Sequence, residues 1–206
     1  MLYLRSASLA FGDRQLFRDL DLHVGRGQMV GVTGESGCGK TSLLRAVLGF
    51  VPLTAGTIEV CGFTLDARHI HDIRQQTAYV PQELQPPVTI GHDLLKLTLD
   101  LSANQPHAER ERYQALMSLV GLDPSLLELS AAKLSGGQRQ RLLLTASLSL
   151  PKPLLLLDEP TSALDEDSTQ RVGLAVQQAC HEGNRSALIV SHDPILLALC
   201  DRVLQL

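Results

Sequence analysis

The chain has 206 residues, 44% of them apolar, with 22 acidic and 18 basic side chains and a net charge of -4. That is enough apolar material for one substantial domain, and the acidic balance argues against a protein whose main work is gripping nucleic acid, which needs a basic excess or a basic face. No run approaches the roughly 18 to 20 apolar residues that cross a bilayer. Arg5 interrupts any signal-like start, and the four cysteines (Cys38, Cys61, Cys180, Cys200) form no C-x-x-C pair that would suggest a zinc site or a disulfide framework. The expected location is therefore the cytoplasm, with any membrane association made through a partner.

In chain order, "LYLRSASLAF" (Leu2 to Phe11) and "LFRDLDLHV" (Leu16 to Val24) alternate apolar and polar residues as half-buried strands do, joined by a turn at Gly12 and Asp13. "QMVGVTG" (Gln28 to Gly34) reads as a buried strand, "TSLLRAVLGF" as a helix ending near Gly49, "GTIEVCGFTL" (Gly56 to Leu65) as a hairpin and "TAYVPQ" (Thr77 to Gln82) as a further strand. From about residue 86 to 150 the apolar spacing turns helical, in "IGHDLLKLTLDL", "HAERERYQALMSLVGL" and "GGQRQRLLLTASLSL". Strands resume at "LLLLD" (Leu154 to Asp158), "SALIVS" (Ser186 to Ser191) and "RVLQL" (Arg202 to Leu206), with a helix from about Glu166 to Cys180. The expected architecture is one α/β domain, with residues 1–85 and 151–206 forming the core and its β subdomain, and 86–150 forming an inserted helical subdomain.

"GESGCGKTS" fits G-x-x-x-x-G-K-[ST] at Gly34, Gly39, Lys40 and Thr41, between a strand and a helix. A loop there wraps phosphate oxygens with backbone N–H groups while the next helix offers its positive end. Glycine permits both the close approach and the positive φ angles. Lys40 then reaches the β and γ phosphates and the Thr41 hydroxyl ligates Mg²⁺, so the pattern points to a nucleoside triphosphate. "LLLLDEP" delivers Asp158 and Glu159 at the end of an apolar strand, the first placed for the metal and the second for the γ phosphate and an attacking water. "KLSGGQRQR" (Lys133 to Arg141) opens an apolar-striped helix with a serine and two glycines. Serine is a good N-cap, yet a lone cap needs no double glycine or following glutamine. The expectation is a second helix terminus open to an anion and served by a second copy of the chain, because one nucleotide cannot use both termini within one subunit.

Taken together, these motifs resemble the ATP-binding cassette, the nucleotide-binding subunit of ABC transporters, over nearly the whole chain and in the family's order. Gly34 to Thr41 resembles the Walker A loop, with Glu35, Ser36, Gly37, Cys38 and Ser42 in or beside it. Phe11 resembles the aromatic that stacks on adenine, and Gln82 in "YVPQ" the Q-loop glutamine. Ser135, Gly136, Gly137 and Gln138 match the "LSGGQ" signature, Asp158 and Glu159 the Walker B pair, "SALD" ending at Asp165 the D-loop, and His192 in "VSHD" the switch histidine. The resemblance implies a P-loop NTPase (RecA-like) α/β fold with an antiparallel β subdomain and an inserted helical subdomain. It also implies a homodimer that sandwiches two ATP molecules with Mg²⁺, and ATP hydrolysis that powers a separate transmembrane permease from the cytoplasmic face. Glu159 is the implied general base; His192 would contact the γ phosphate, and Gln82 and Thr41 would approach the metal with Asp158. The segment Glu83 to Leu95, with Gln82, would receive the permease. The alternative in this family is a non-transport ATPase acting on nucleic acid or the ribosome, which typically carries insertions that this sequence lacks.

Departures from the pattern are few. "TASL" places Ser147 where many cassettes have arginine, a change expected to alter a structural contact and not the chemistry. The chain stops after the strand beyond the switch helix, so no C-terminal regulatory domain is expected in it. "IRQQTAYVPQ" bears a weak likeness to small cassettes of metal-ion export. Cys38, beside Lys40 and a helix N-terminus, is expected to be reactive toward alkylating reagents, whereas the other three cysteines are expected to be small buried apolar residues. Of seven histidines only His192 sits in a motif; His23, His69, His71, His92, His107 and His181 are expected at the surface or in loops, and "HAERER" (His107 to Arg112) on a solvated helix face.

Overall fold

The computed structural model describes residues 1–82 and 110–206. The proposed permease-binding segment from Glu83 to Leu95, the stretch "IGHDLLKLTLDL", and His92 and His107 lie outside the described residues, as does the first half of "HAERER".

Two sheets organise the described residues. Four strands, β1 (Leu2–Phe11), β2 (Arg14–Val24), β4 (Ala55–Val60) and β5 (Phe63–Thr64), form an antiparallel sheet in the order β2-β1-β4-β5. Five strands, β3 (Met29–Thr33), β6 (Thr77–Val80), β7 (Leu154–Asp158), β8 (Ser186–Val190) and β9 (Arg202–Gln205), form a parallel sheet in the order β6-β7-β8-β3-β9. The all-apolar run of β7 follows from its place inside that sheet, because a central parallel strand is covered on both faces and has no solvent side to alternate with.

Helices α1 (Lys40–Val47), α2 (Ile70–Gln76), α3 (Arg110–Leu119), α4 (Gly136–Ser149), α5 (Glu166–His181) and α6 (Pro194–Ala198) cover the parallel sheet. The two-residue period of the strands divides the core into two clusters. Leu155, Leu157, Ala187 and Ile189 face one way, toward Met117 of α3, Leu142 and Leu148 of α4 and Val172 and Val176 of α5. Leu154, Leu156, Leu188 and Val190 face the other way, toward Leu43, Leu44 and Val47 of α1, Ile73 of α2, and Leu2, Leu4, Ile58 and Val60 of the antiparallel sheet. Short α2 is absent from the sequence reading, since "IHDIRQQ" buries only Ile73 and so carries no apolar period.

Ser147 lies near the far end of α4, where its carbonyl and that of Leu148 accept from the buried Arg185 at 3.3 and 2.8 Å. Arg185 Nε also donates to Lys152 O at 2.8 Å, tying the helix end to the start of β8. The bond at Ser147 is made by its backbone carbonyl and does not depend on the side chain there. Among the described residues, no helix is long and apolar enough to cross a membrane. Of the three cysteines expected to be buried, only Cys180 is fully so; Cys61 and Cys200 are half-buried. Burial nevertheless raises all three thiols, Cys180 to about 12 and Cys200 to about 11.

Candidate functional site

Neighbouring parallel strands end on the same edge of a sheet, and ligands of such sheets bind beyond their carboxyl ends. Here β6, β7, β8 and β3 are consecutive neighbours. The segments that leave them carry Gln82, Asp158 and Glu159, His192, and the glycine-rich loop. Gln82, Asp158, Glu159 and His192 line one cleft of about 670 Å³ together with Phe11, Ser36, Gly37, Gly39, Lys40, Thr41 and Ser42.

The loop between β3 and α1 is built for close approach. Gly39 is the N-cap of α1 at φ 111, a left-handed conformation that favours glycine, and a Cβ there would sit 3.0 Å from Leu16 Cβ. No acidic residue occupies the first turn of α1, which leaves the positive end of the helix dipole facing the cleft. Lys40 is buried, and its ammonium donates to Gly34 O and Glu35 O at 2.8 Å each. Among the described residues, its remaining hydrogen-bond contact is with Cys38 Sγ, at 3.9 Å. The ammonium therefore sits at the centre of the loop with one donor unspent on oxygen.

Thr41 Oγ1 donates to Asp158 Oδ1 at 3.1 Å, joining the first turn of α1 to the end of β7. Tyr79 of β6 reaches the other carboxylate oxygen at 3.4 Å. Burial raises the Asp158 pKa, against the Thr41 and Tyr79 hydrogen bonds and the charges of Arg45 and Lys40, which lower it. Burial likewise raises Glu159, opposed chiefly by His192, whose Nε2 lies 3.6 Å from Glu159 Oε1. A hydroxyl, a carboxylate and a carboxamide lining one cleft are the hard oxygen donors that suit Mg²⁺. Thr41, Asp158 and Gln82 fit that ion.

Phe11 reaches the cleft from the end of β1 and is 54% exposed, leaving its ring open to stacking. Arg14, unremarked in the sequence reading, donates from the start of β2 to Gly37 O at 2.9 Å and pins the loop to the antiparallel sheet. Its signal is only its closeness to Phe11. Tyr79 is visible within "YVPQ", but nothing in the sequence reveals its contact with Asp158.

The signature residues are not brought to this cleft. Ser135 caps α4, accepting from Gln138 N at 3.1 Å, while Gln138 Oε1 accepts from Ser135 N at 2.8 Å. This reciprocal capping box corrects the expectation that a cap needs no following glutamine: Gln138 has a local structural task. Gly137 has one too, since a Cβ there would lie 2.8 Å from Ala163 O, whereas one on Gly136 meets only Ala163 Cβ at 3.8 Å. Asp165 also stands apart from the cleft, capping α5 by accepting from Ser168 N at 2.7 Å, a bond that lowers its carboxyl pKa. Outside the cleft His23 stacks on Tyr3 and His181 contacts Asp201.

The family model described as "ABC transporter" matches residues 17–162. An aliphatic sulfonates import ATP-binding protein of Pseudomonas savastanoi pv. phaseolicola is 37% identical over 98% of this chain and 72% of its own length. An Fe(3+) ions import ATP-binding protein of Streptomyces avermitilis is 34% identical over 98% of this chain and 59% of its length. A Brucella ovis protein named for peptide import is 35% identical over 98% of this chain, which spans 65% of that relative's length. Among solved structures, an ATP-binding cassette in a dimeric post-hydrolysis state with ADP and Pi superposes with a TM-score of 0.84 at 23% identity, covering 100% of this chain and 94% of that one. That likeness establishes the P-loop cassette fold.

Because the Glu159 carboxyl is raised in the folded chain, its protonated form is favoured by folding. Its contribution to stability is complete below the ordinary glutamate range, about 4.3, and is lost as pH rises through the folded value. At neutral pH the ionised side chain is a cost. Glu159→Gln is expected to melt above the parent at pH 7.5, with the gain shrinking as pH falls toward 4. Thermal melts across that range check this, and a gain that is absent or grows on acidification contradicts it.

Proposed function

Since the chain belongs to the ABC transporter family, we propose that it binds and hydrolyses ATP and powers a separate membrane-spanning permease. The observation that carries this reading is the convergence in one cleft of Lys40, the Thr41–Asp158 pair, Gln82, and Glu159 beside His192. Lys40 and the loop N–H groups hold the β and γ phosphates, and Phe11 stacks on the base. Thr41, Asp158 and Gln82 hold Mg²⁺, which when bound neutralises charge on the transferring phosphoryl group. Glu159 accepts a proton from the attacking water, a step worth on the order of 10²–10⁴-fold in rate, and its raised pKa moves it toward the working pH of a base. His192 is placed to contact the γ phosphate and the same water.

Because the signature turn does not line this cleft, Ser135, Gly136 and Gly137 serve the nucleotide of a second copy in a head-to-tail homodimer, with Asp165 near the junction. Residues 86–150 act as the helical subdomain and the remainder as the core. The permease docks near Gln82 and the segment that follows, holding the chain on the cytoplasmic face of the membrane. The relatives described above are named for sulfonates, ferric ions and peptides at nearly equal identity, so the cargo is chosen by the permease and not by this cassette. All three are named for import, which favours neither the metal-export likeness nor work on nucleic acid or the ribosome.

Glu159→Gln protein loaded with ATP is expected to retain nucleotide while losing at least about a hundredfold in hydrolysis, and to capture a stoichiometric multi-spanning protein from detergent-solubilised membranes of its own cell. Recovery of soluble or nucleic-acid partners alone contradicts the transport reading. Cys38, inside the phosphate loop, is expected to react with N-ethylmaleimide, and saturating ATP is expected to slow that reaction about tenfold or more, as occupancy of a tight site does. Equal rates with and without ATP, or undiminished ATP binding by the alkylated protein, refute this.

A further inference from the structure

Gln140 lies one turn inside α4 and is buried, yet both ends of its amide are spent on one loop of another element. Nε2 donates to the Glu159 carbonyl at 2.7 Å and lies 3.4 Å from Ser162 Oγ, while Oε1 accepts from Ala163 N–H at 3.4 Å. A carbonyl can only accept and an amide N–H can only donate, so these partners settle which end of the side chain is which.

The backbone they hold is an unfavourable one. Glu159 sits at φ 47, a left-handed conformation that crowds a residue with a Cβ and persists only where its surroundings enforce it. Glu159 N–H donates to Val190 O at 2.9 Å, and its carbonyl also receives Ser162 N–H at 3.3 Å. From the opposite side Asp193 Oδ2 accepts from Thr161 Oγ1 at 3.1 Å. The turn from Glu159 to Ala163 is thus clamped between α4 and the residue after His192.

We propose that Gln140 is a positioning residue for Glu159: by holding the Glu159 carbonyl and the Ala163 amide it keeps the strained turn that aims the carboxylate into the cleft beside His192. The same helix carries the signature turn at its start, with Gly137 against Ala163 O, so the element that would receive the second copy's nucleotide also sets the carboxylate of its own site. This inference rests on the reading of Glu159 as general base.

Gln140→Met tests it, because methionine nearly fills the same volume and removes both polar contacts. Three quantities decide the matter: kcat for ATP hydrolysis, affinity for a fluorescent ATP analogue, and amide hydrogen exchange over residues 159–164. The expected result is a kcat about tenfold lower, the scale of one lost buried hydrogen bond. Affinity is expected within about twofold of the parent, with faster exchange confined to that turn. Parental kcat and exchange in Gln140→Met reduce Gln140 to packing and overturn the proposal. If Gln140→Met does not fold, Gln140→Leu is read against the same outcomes. Hydrolysis at the parental rate in Glu159→Gln sinks the general-base reading instead, and the exchange data still decide whether Gln140 holds the turn.

Discussion

Asp158 ends β7 in register with Val190 of β8, and the next residue, Glu159, donates its backbone N–H to the Val190 carbonyl. The geometry of the cleft is set from this junction. Once β7 and β8 are paired, the side chain of Asp158 faces the first turn of α1, where Thr41 meets it, and the chain turns sharply enough to swing Glu159 toward His192. A slip of one residue would send every side chain of β7 to the opposite face, removing Leu155 and Leu157 from one core and carrying Asp158 away from Thr41. The two apolar clusters therefore enforce the position of the carboxylates, and Val190 of the second cluster lines the cleft itself.

What the fold enforces, it also has to oppose. Asp158 and Glu159 are raised by burial, Glu159 adopts a left-handed backbone, and the Lys40 ammonium is largely withdrawn from water. Such groups cost stability in isolation and are retained where a site needs charge in place before its ligand arrives. The surrounding bonds offset part of that cost: loop carbonyls on Lys40, hydroxyls on Asp158, and the Gln140 amide on the Glu159 turn. Arg14 and Tyr79 extend the same support to the glycine-rich loop and to Asp158.

The phosphate loop, the carboxylate pair and the strands that carry them are legible in the sequence because each is local. "GESGCGKT" between a strand and a helix, and four leucines before Asp158, state their geometry within about ten residues. The contacts of Arg14, Tyr79 and Gln140 join elements far apart in the chain, and a single sequence does not display which residues a fold will bring together. Helix α2 is hidden for a different reason, being too short to show a period. "LSGGQ" is read correctly as a helix start but incompletely, since the capping box of Ser135 and Gln138 and the contact of Gly137 with Ala163 O are internal demands on residues that look reserved for a ligand. Gly136, where a Cβ would make only ordinary contact with Ala163 among the described residues, is the signature residue whose lack of a side chain the chain itself does not explain.

The cleft and the signature turn lie apart in one copy of the chain, and the proposed head-to-tail homodimer would unite them. A direct measurement mixes two inactive variants, one with Lys40→Ala and an intact signature, the other with Ser135→Arg and an intact phosphate loop, and follows ATP hydrolysis. In the proposed homodimer a mixed pair would contain one site in which the intact Lys40 of one copy faces the intact Ser135 of the other, so activity is expected to appear on mixing and to scale with the fraction of mixed dimer. If the mixture hydrolyses ATP no faster than either variant alone while mixed dimers are present, the site is not shared between copies.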